Sequence, residues 1–531
     1  MSEIRIKNRK KINKFTKNKD PIILEKEIYN STIVQAKDQE IIRKWDNPIF
    51  KELYDINTDK FLKYDGIETY FKINDNYLNK IIDKYSEDMT LESNEYILDE
   101  IFEIYTRGPP EELRKVIEKH FIPSDTQKKK NAEIPTPVDC VDEMISKIPD
   151  EFWRNPNKIL EPCCGKGNFV LAIFNKLFDG LLHIKDEIER CRIIIEECIY
   201  FADIEDMNTF ITKELLSCYA ISKLSENSWK DWDLVLKIYD FKYNTYTGDT
   251  LEFDIKNEWG LMNAVIFNPP YNDQRGIAGG GKNLYNKFII KSFDILDNEG
   301  YSLFIVPTGC LKTTVYDKKT PVIEYILNND IMCLNINDCA KYFNVSSTFT
   351  YMLIKNNRKK CINNILSEIK GKKYRNSKIL NFKLNFIPLI CDSNTLSIID
   401  KCSYNNLNIK RVDSSDKFIY ENFIYIKRLD HINHNKPHLK VYIGDKDLNI
   451  QGPILYINYD KNIKKIKRIL ESNIYAFLNI VTRYDNVIYH KFINMFGYPN
   501  LDNITINNNE DIYKLFKLTN DEISHIETIL G

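Results

Sequence analysis

Several large protein classes are excluded by what this chain lacks. No apolar run approaches the roughly 18–20 residues that a membrane span needs. The amino-terminal MSEIRIKNRKKINKFTKNK is basic and polar where a secretory signal would carry an apolar core. Neither sign of charge dominates, since 75 Lys and Arg face 76 Asp and Glu. That balance argues against a generally basic nucleic-acid coat but leaves room for a basic cleft within a neutral total. The twelve cysteines are irregularly spaced, with one adjacent pair, Cys163–Cys164, and no Cys-x-x-Cys. They read as reduced thiols of a cytoplasmic protein, with no disulfide framework and no metal. No internal repeat is present, and no acid-x-Lys constellation of a nuclease follows a strand.

What is present is a long chain with a folded protein's composition. Its 531 residues exceed one ordinary core, so two or three domains are expected. Residues 1–20 read as a solvated basic tail. Residues 21–125 carry helical spacing in LNKIIDKYSED, EYILDEIFEIYTRG and PEELRKVIEKHF, so 1–125 is expected to be a helical extension. From about 126 to 358, strand-length apolar runs alternate with helical segments. KILEP (158–162), ECIYFAD (197–203), NAVIFN (263–268) and GYSLFIVP (300–307) are expected strands. GNFVLAIFNKLF (167–178), MNTFITKELLSCYAI (207–221) and LYNKFIIKSFDIL (284–296) are expected helices. Such alternation implies an α/β, doubly wound and mostly parallel sheet, with ligands at the carboxyl ends of its strands. Residues 359–531 turn Asn/Lys/Ile-rich and read as a separate mixed domain, with strands in 417–429 and 452–460 and one helix over 464–484.

ILEPCCGKGNF (159–169) is strand, turn and helix. Gly165 and Gly167 allow a sharp turn and a close backbone approach. No Ser or Thr follows Lys166, so the phosphate-cradling P-loop fails, and no third glycine completes a dinucleotide fingerprint. Glu161 closes the strand instead. An acid there repels a pyrophosphate and can pair with a ligand ammonium. Asp203 ends the next strand, where a carboxylate can accept from both hydroxyls of a ribose; Glu205 is its local rival. Asp249, in TGDTLEFD (247–254), stands at another strand end and can accept from an adenine amino group. Each acid alone is more often solvated or a helix cap. Three at successive strand ends, behind a glycine turn, favour a cationic adenosine-containing ligand, and S-adenosylmethionine is such a ligand.

NAVIFNPPYN (263–272) ends a continuous apolar run in Asn-Pro-Pro-Tyr. The run reads as a central strand buried on both faces. Pro269 and Pro270 cannot donate to a ladder and must end it in a rigid corner. Asn268 and Tyr271 are then fixed at the sheet's carboxyl edge. Asn268 and the Pro269 carbonyl supply acceptors for an exocyclic amine, and Tyr271 offers a stacking face.

Together these stretches resemble the N6-adenine DNA methyltransferases of the gamma motif order, over about residues 130–357. TPVDCVDEM (136–144) is similar to the family's Thr-Pro segment before the cofactor loop. The resemblance makes Thr136, Glu161, Pro162, Cys163, Gly165, Gly167, Asp203, Ile204, Asp249, Thr250 and Asn268 cofactor-binding residues. The catalytic residues become Asn268, Pro269, Pro270 and Tyr271. Phe288, in NLYNKF (283–288), joins Tyr271 in holding the substrate base. FNVSSTFTYMLIKN (343–356) looks like the last hairpin of the catalytic sheet. The 46 residues from Asp203 to Asp249 are more than the family usually spends there, and two cysteines replace its usual small residues. What the resemblance implies is a seven-stranded, Rossmann-like methyltransferase sheet that uses S-adenosylmethionine. The protein would flip an adenine out of double-stranded DNA and read its target with residues 359–531. A cognate restriction endonuclease is a further partner of such systems, and the place of action would be the cytoplasm of a bacterium or the factory of a virus in its host. Cytosine N4, RNA bases and protein glutamine remain alternative acceptors. GIAGGG (276–281) is expected to order on DNA binding.

Overall fold

The computed structural model describes residues 136–531 apart from 225–236, 239, 272–283, 313–321, 344–347, 381, 413–422, 428–436, 445–453, 458–461 and 485–493. Before residue 136 it describes only a paired Tyr54–Asp55 and Lys60–Phe61. The expected helical extension and the GIAGGG segment thus lie outside the described residues. The chain divides into two compact units, residues 1–282 and 283–531. The division falls inside the stretch 126–358 that reads as one domain in the sequence. Nine strands carry the α/β pattern, four in the first unit and five in the second. Among the described residues no helix is long and apolar enough to cross a membrane.

The first unit holds four of those strands: β1 (Ile159–Glu161), β2 (Ile199–Asp203), β3 (Asn244–Thr247) and β4 (Met262–Phe267). All their pairings are parallel, in the order β4-β1-β2-β3. Every residue of β1 and β2 is buried, as is all of β4 except Asn263. That is the burial that near-continuous apolar runs dictate in a parallel sheet. Helices α1 (Val138–Ile145), α2 (Asn168–Gly180) and α3 (Asp206–Leu224) belong to this unit. From β1 the chain steps outward to β2 and β3, then returns to lay β4 on the other flank of β1. The carboxyl ends of β1 and β4 therefore form a topological switch point, the usual crevice of such sheets.

The second unit holds β5 (Leu296–Pro307), β6 (Asp330–Ile336), β7 (Phe349–Lys355), β8 (Cys361–Ile369) and β9 (Lys372–Leu380), in the order β5-β7-β6-β8-β9. β7 runs antiparallel to both β5 and β6, β8 parallel to β6, and β9 antiparallel to β8. The strands of this unit continue past residue 358 through β8 and β9. The reason is legible afterwards in CINNILSEI, whose alternate residues are buried. Edge strand β9 carries Lys372, Lys373, Arg375 and Lys378, charges that discourage further pairing. Helix α4 (Leu284–Ile295) precedes β5.

Beyond residue 381 the unit contains a four-stranded antiparallel sheet of β10 (Lys410–Val412), β11 (Phe423–Lys427), β12 (Tyr442–Gly444) and β13 (Ile454–Ile457), ordered β10-β13-β11-β12. Helices α5 (Ser393–Cys402), α6 (Ile463–Leu470), α7 (Asn473–Val481) and α8 (Asn520–Leu530) accompany it. The single helix expected over 464–484 is two. Ser472 starts the second by accepting from the Tyr475 amide, so its hydroxyl ends one helix and caps the next.

Candidate active site at the switch point

Glu161 closes β1, and the chain then turns through Pro162 to Gly167 into α2. The turn is fastened by backbone bonds from Cys164 N to Ala202 O and from Gly167 N to Cys164 O, both 2.8 Å. Gly165 and Gly167 have φ of +50° and +81°, the left-handed region where a side chain is strained. Their surroundings differ. A Cβ on Gly167 would lie 3.0 Å from the Thr212 side chain, so this glycine lets α3 pack close. A Cβ on Gly165 would meet nothing within 4 Å, so the loop's open side lies there.

The three acids behave differently from one another. Glu161 is 3% exposed, and its Oε2 accepts from the Val170 amide in the first turn of α2 at 3.1 Å. Burial pushes its carboxyl well above the usual range against that bond, and neighbouring Asp203 pushes the same way. Asp203 serves the loop itself. One oxygen accepts from Gly165 N at 2.9 Å, and the other accepts from Glu205 N and Asn208 Nδ2. It is therefore a turn-builder as well as a candidate ribose acceptor. Asp249 lies two residues beyond β3 and accepts from Leu251 N at 3.0 Å, a local turn bond. Beside it Thr250 is buried and donates to the Pro162 carbonyl at 2.8 Å, tying this loop to the glycine loop. Ile204 is 54% exposed although it follows a fully buried strand.

Asn268 follows β4 directly. The register pairs Ile159 with Ala264 and Leu160 with Val265, so the Cys163 and Asn268 positions come level at the crevice. The Cys163 thiol donates to the Asn268 backbone carbonyl at 3.4 Å. Burial, with Glu161 and Asp203 adding to it, pushes that thiol's pKa up and keeps it a proton donor. Asn268 Nδ2 donates to Thr136 Oγ1 at 2.9 Å, and Tyr271 Oη donates to Asn268 Oδ1 at 3.0 Å. Thr136 is in turn held by Asn168 of α2, whose amide donates to the Thr136 carbonyl at 2.9 Å. Tyr271 is 8% exposed, and no cis peptide occurs at the two prolines.

Within the first unit, hydrogen bonds join Thr136, Cys163 and Tyr271 to Asn268, Gly165 to Asp203, and Thr250 to Pro162. Phe288 belongs to α4 in the second unit, where it is buried. The reading of the sequence assigned Thr136 and Cys163 to a cofactor and missed that both touch Asn268. Asn168, Asn208 and Thr212 were not singled out at all. No local signal could reveal these contacts, since Thr136 and Asn268 are 132 residues apart.

No curated protein matches the sequence. Residues 197–343 match the family described as Eco57I restriction-modification methylase. Among solved structures, the type IIL restriction-modification enzyme MmeI in complex with DNA is 10% identical, with 80% of this chain and 77% of that one covered and a TM-score of 0.45. The ATP-dependent type ISP restriction-modification enzyme LlaBIII bound to DNA is 13% identical, with coverage of 99% and 47% and a TM-score of 0.44. A chain from Vibrio vulnificus YJ016, named as a modification subunit of a type I restriction enzyme, is 15% identical, with coverage of 50% and 54% and a TM-score of 0.33. This chain thus spans about half the length of two of the three. Scores this low imply nothing about substrate. The residues that match this family model, 197–343, hold β2 to β6 and the Asn-Pro-Pro-Tyr corner.

Proposed function

We propose that the chain is a site-specific DNA adenine methyltransferase, transferring a methyl group from S-adenosylmethionine to N6 of an adenine flipped out of the duplex. The observation that carries this is the Asn268 corner, an amide and a carbonyl fixed at the switch point beside a glycine loop with one open side. The residues present fit the cofactor. The buried Glu161 carboxyl is costly to ionise alone, and an ammonium beside it would relieve that cost. The open side of Gly165 admits a ligand against the backbone. Asp203 and Asp249 stand at neighbouring strand ends for ribose and adenine, with half-exposed Ile204 as an apolar face. The sulfonium supplies an already activated methyl group.

The chain's own residues then position and polarise. Asn268 Oδ1 and the Pro269 carbonyl accept from the two amino hydrogens of the base. These bonds draw the nitrogen toward tetrahedral geometry and free its lone pair for the methyl group, and no separate general base is needed in the transfer. Extruding the base costs a few kcal/mol, part of which stacking on Tyr271 would return. Residues 359–531 would read the target sequence, and a cognate restriction endonuclease would complete the system. The test is transfer of tritiated methyl from S-adenosylmethionine to DNA by the purified full chain. Asn268→Ala should lower the rate roughly 10²–10³-fold, the range for losing one preorganised polar group. Label appearing in cytosine, RNA or protein, with none in adenine, would redirect the assignment.

A further inference from the structure

Asn268 can help an amine only if its oxygen, and not its nitrogen, faces the substrate. The two ends of an amide are nearly isosteric, so something must choose between them. In the structure Nδ2 donates to Thr136 Oγ1 at 2.9 Å, and Oδ1 accepts from Tyr271 Oη at 3.0 Å. Thr136 is built for this choice. It is 6% exposed, it sits immediately before Pro137 and α1, and its carbonyl is held by Asn168 at the start of α2. Its backbone is therefore anchored beside the corner, between the starts of two helices. The backbone of Asn268 is fixed separately by Cys163.

We propose that Thr136 is a positioning residue for the transfer step, which accepts from Asn268 Nδ2 and so commits Oδ1 to the target amine. This rests on the amine-methylation reading of Asn268 and adds a role beyond cofactor binding for the Thr-Pro segment. Tyr271 is the weaker partner of the amide, because its ring must turn to stack on an entering base and its hydroxyl then leaves Oδ1. Thr136 keeps the amide oriented after that departure.

Thr136→Val keeps the shape and removes the acceptor, and Thr136→Ser keeps the hydroxyl. The full chain is measured with S-adenosylmethionine and DNA both saturating, beside calorimetric binding of S-adenosylmethionine. With cofactor and DNA both saturating, so that any loss of cofactor affinity is offset, Thr136→Val should transfer methyl roughly 30-fold more slowly, the effect of losing one buried hydrogen-bond partner. Thr136→Ser should recover the rate to within about threefold. A Thr136→Val chain with wild-type turnover at saturation, or with its defect confined to cofactor affinity, would overturn the proposal. So would a Thr136→Ser chain as slow as the Val variant. If wild type transfers no methyl and Asn268→Ala is equally inert, the methylation reading itself falls. If Asn268→Ala alone abolishes transfer, only the role of Thr136 falls.

Discussion

Two glutamates are buried to the same degree, 3% exposed each, and are treated in opposite ways. Glu522, in the first turn of α8, is fully partnered. Lys401 meets it at 2.7 Å, Ser397 Oγ donates at 2.6 Å, and the Thr519 amide closes a capping box. Burial pushes its carboxyl up, but these donors outweigh it and hold the group below its usual range. Glu161, at the crevice of the first unit, has the Val170 amide as a donor and Asp203 as a neighbour, and burial, helped by Asp203, holds its carboxyl high. The contrast separates a glutamate that fastens a helix from one that the proposed function sets beside the cofactor's ammonium.

The sharpest way to break the comparison is at Glu522. Glu522→Ala strips the cap and leaves Lys401 and Ser397 facing an empty site. It should cost about 2–3 kcal/mol in denaturant unfolding, while methyl transfer at a temperature well below melting stays near wild type. The pH dependences should also run in opposite directions. Glu522 has a depressed folded pKa, so its contribution is present above the unfolded carboxylate pKa and fades as pH falls through the lowered value. Glu161 has a raised one, so any stability from its protonated form is complete below the unfolded pKa and is lost as pH rises through the raised value. Glu161→Gln should therefore melt higher than wild type at pH 8, with the gap closing toward acid pH, and should lose affinity for S-adenosylmethionine. A Glu161→Gln chain less stable at pH 8 with cofactor affinity intact would return Glu161 to a helix-capping role.

A smaller effect separates the two glycines. Gly167→Ala adds the Thr212 contact to left-handed strain and should destabilise by more than the about 1 kcal/mol of strain alone. Gly165→Ala should cost about 1 kcal/mol yet weaken cofactor binding more, since its methyl enters the loop's open side. Equal binding losses in both would remove the distinction.

The same contrast explains what was legible in the sequence. β1, β2 and β4 could be read because strands buried on both faces need continuous apolar runs, and two prolines after such a run can only be its end. The glycine loop could be read because its backbone demands Gly165 and Gly167. The second unit yielded less. Its hairpin β8–β9 hides in an Asn/Lys-rich stretch, where burial touches only alternate residues of β8. Lys370 and Lys372 donate to carbonyls at the end of α8, and Lys373 pairs with Asp338. Lys465, Lys467 and Arg468 likewise reach the carbonyls of Leu501, Val441 and Ile506. A charge run gives no hint of which distant carbonyl will take it. The network Asn168–Thr136–Asn268–Tyr271 was hidden for the same reason, since its members meet only once the sheet has formed.

The central claim, that the Asn268 corner methylates the amine of adenine, is tested most directly in DNA taken from a host expressing this chain. The nucleosides are separated and identified by mass spectrometry, for wild type and for Asn268→Ala. The account predicts N6-methyladenine with wild type and none above the host's background with the variant. Wild-type DNA without N6-methyladenine, or an equal amount with Asn268→Ala, would contradict it.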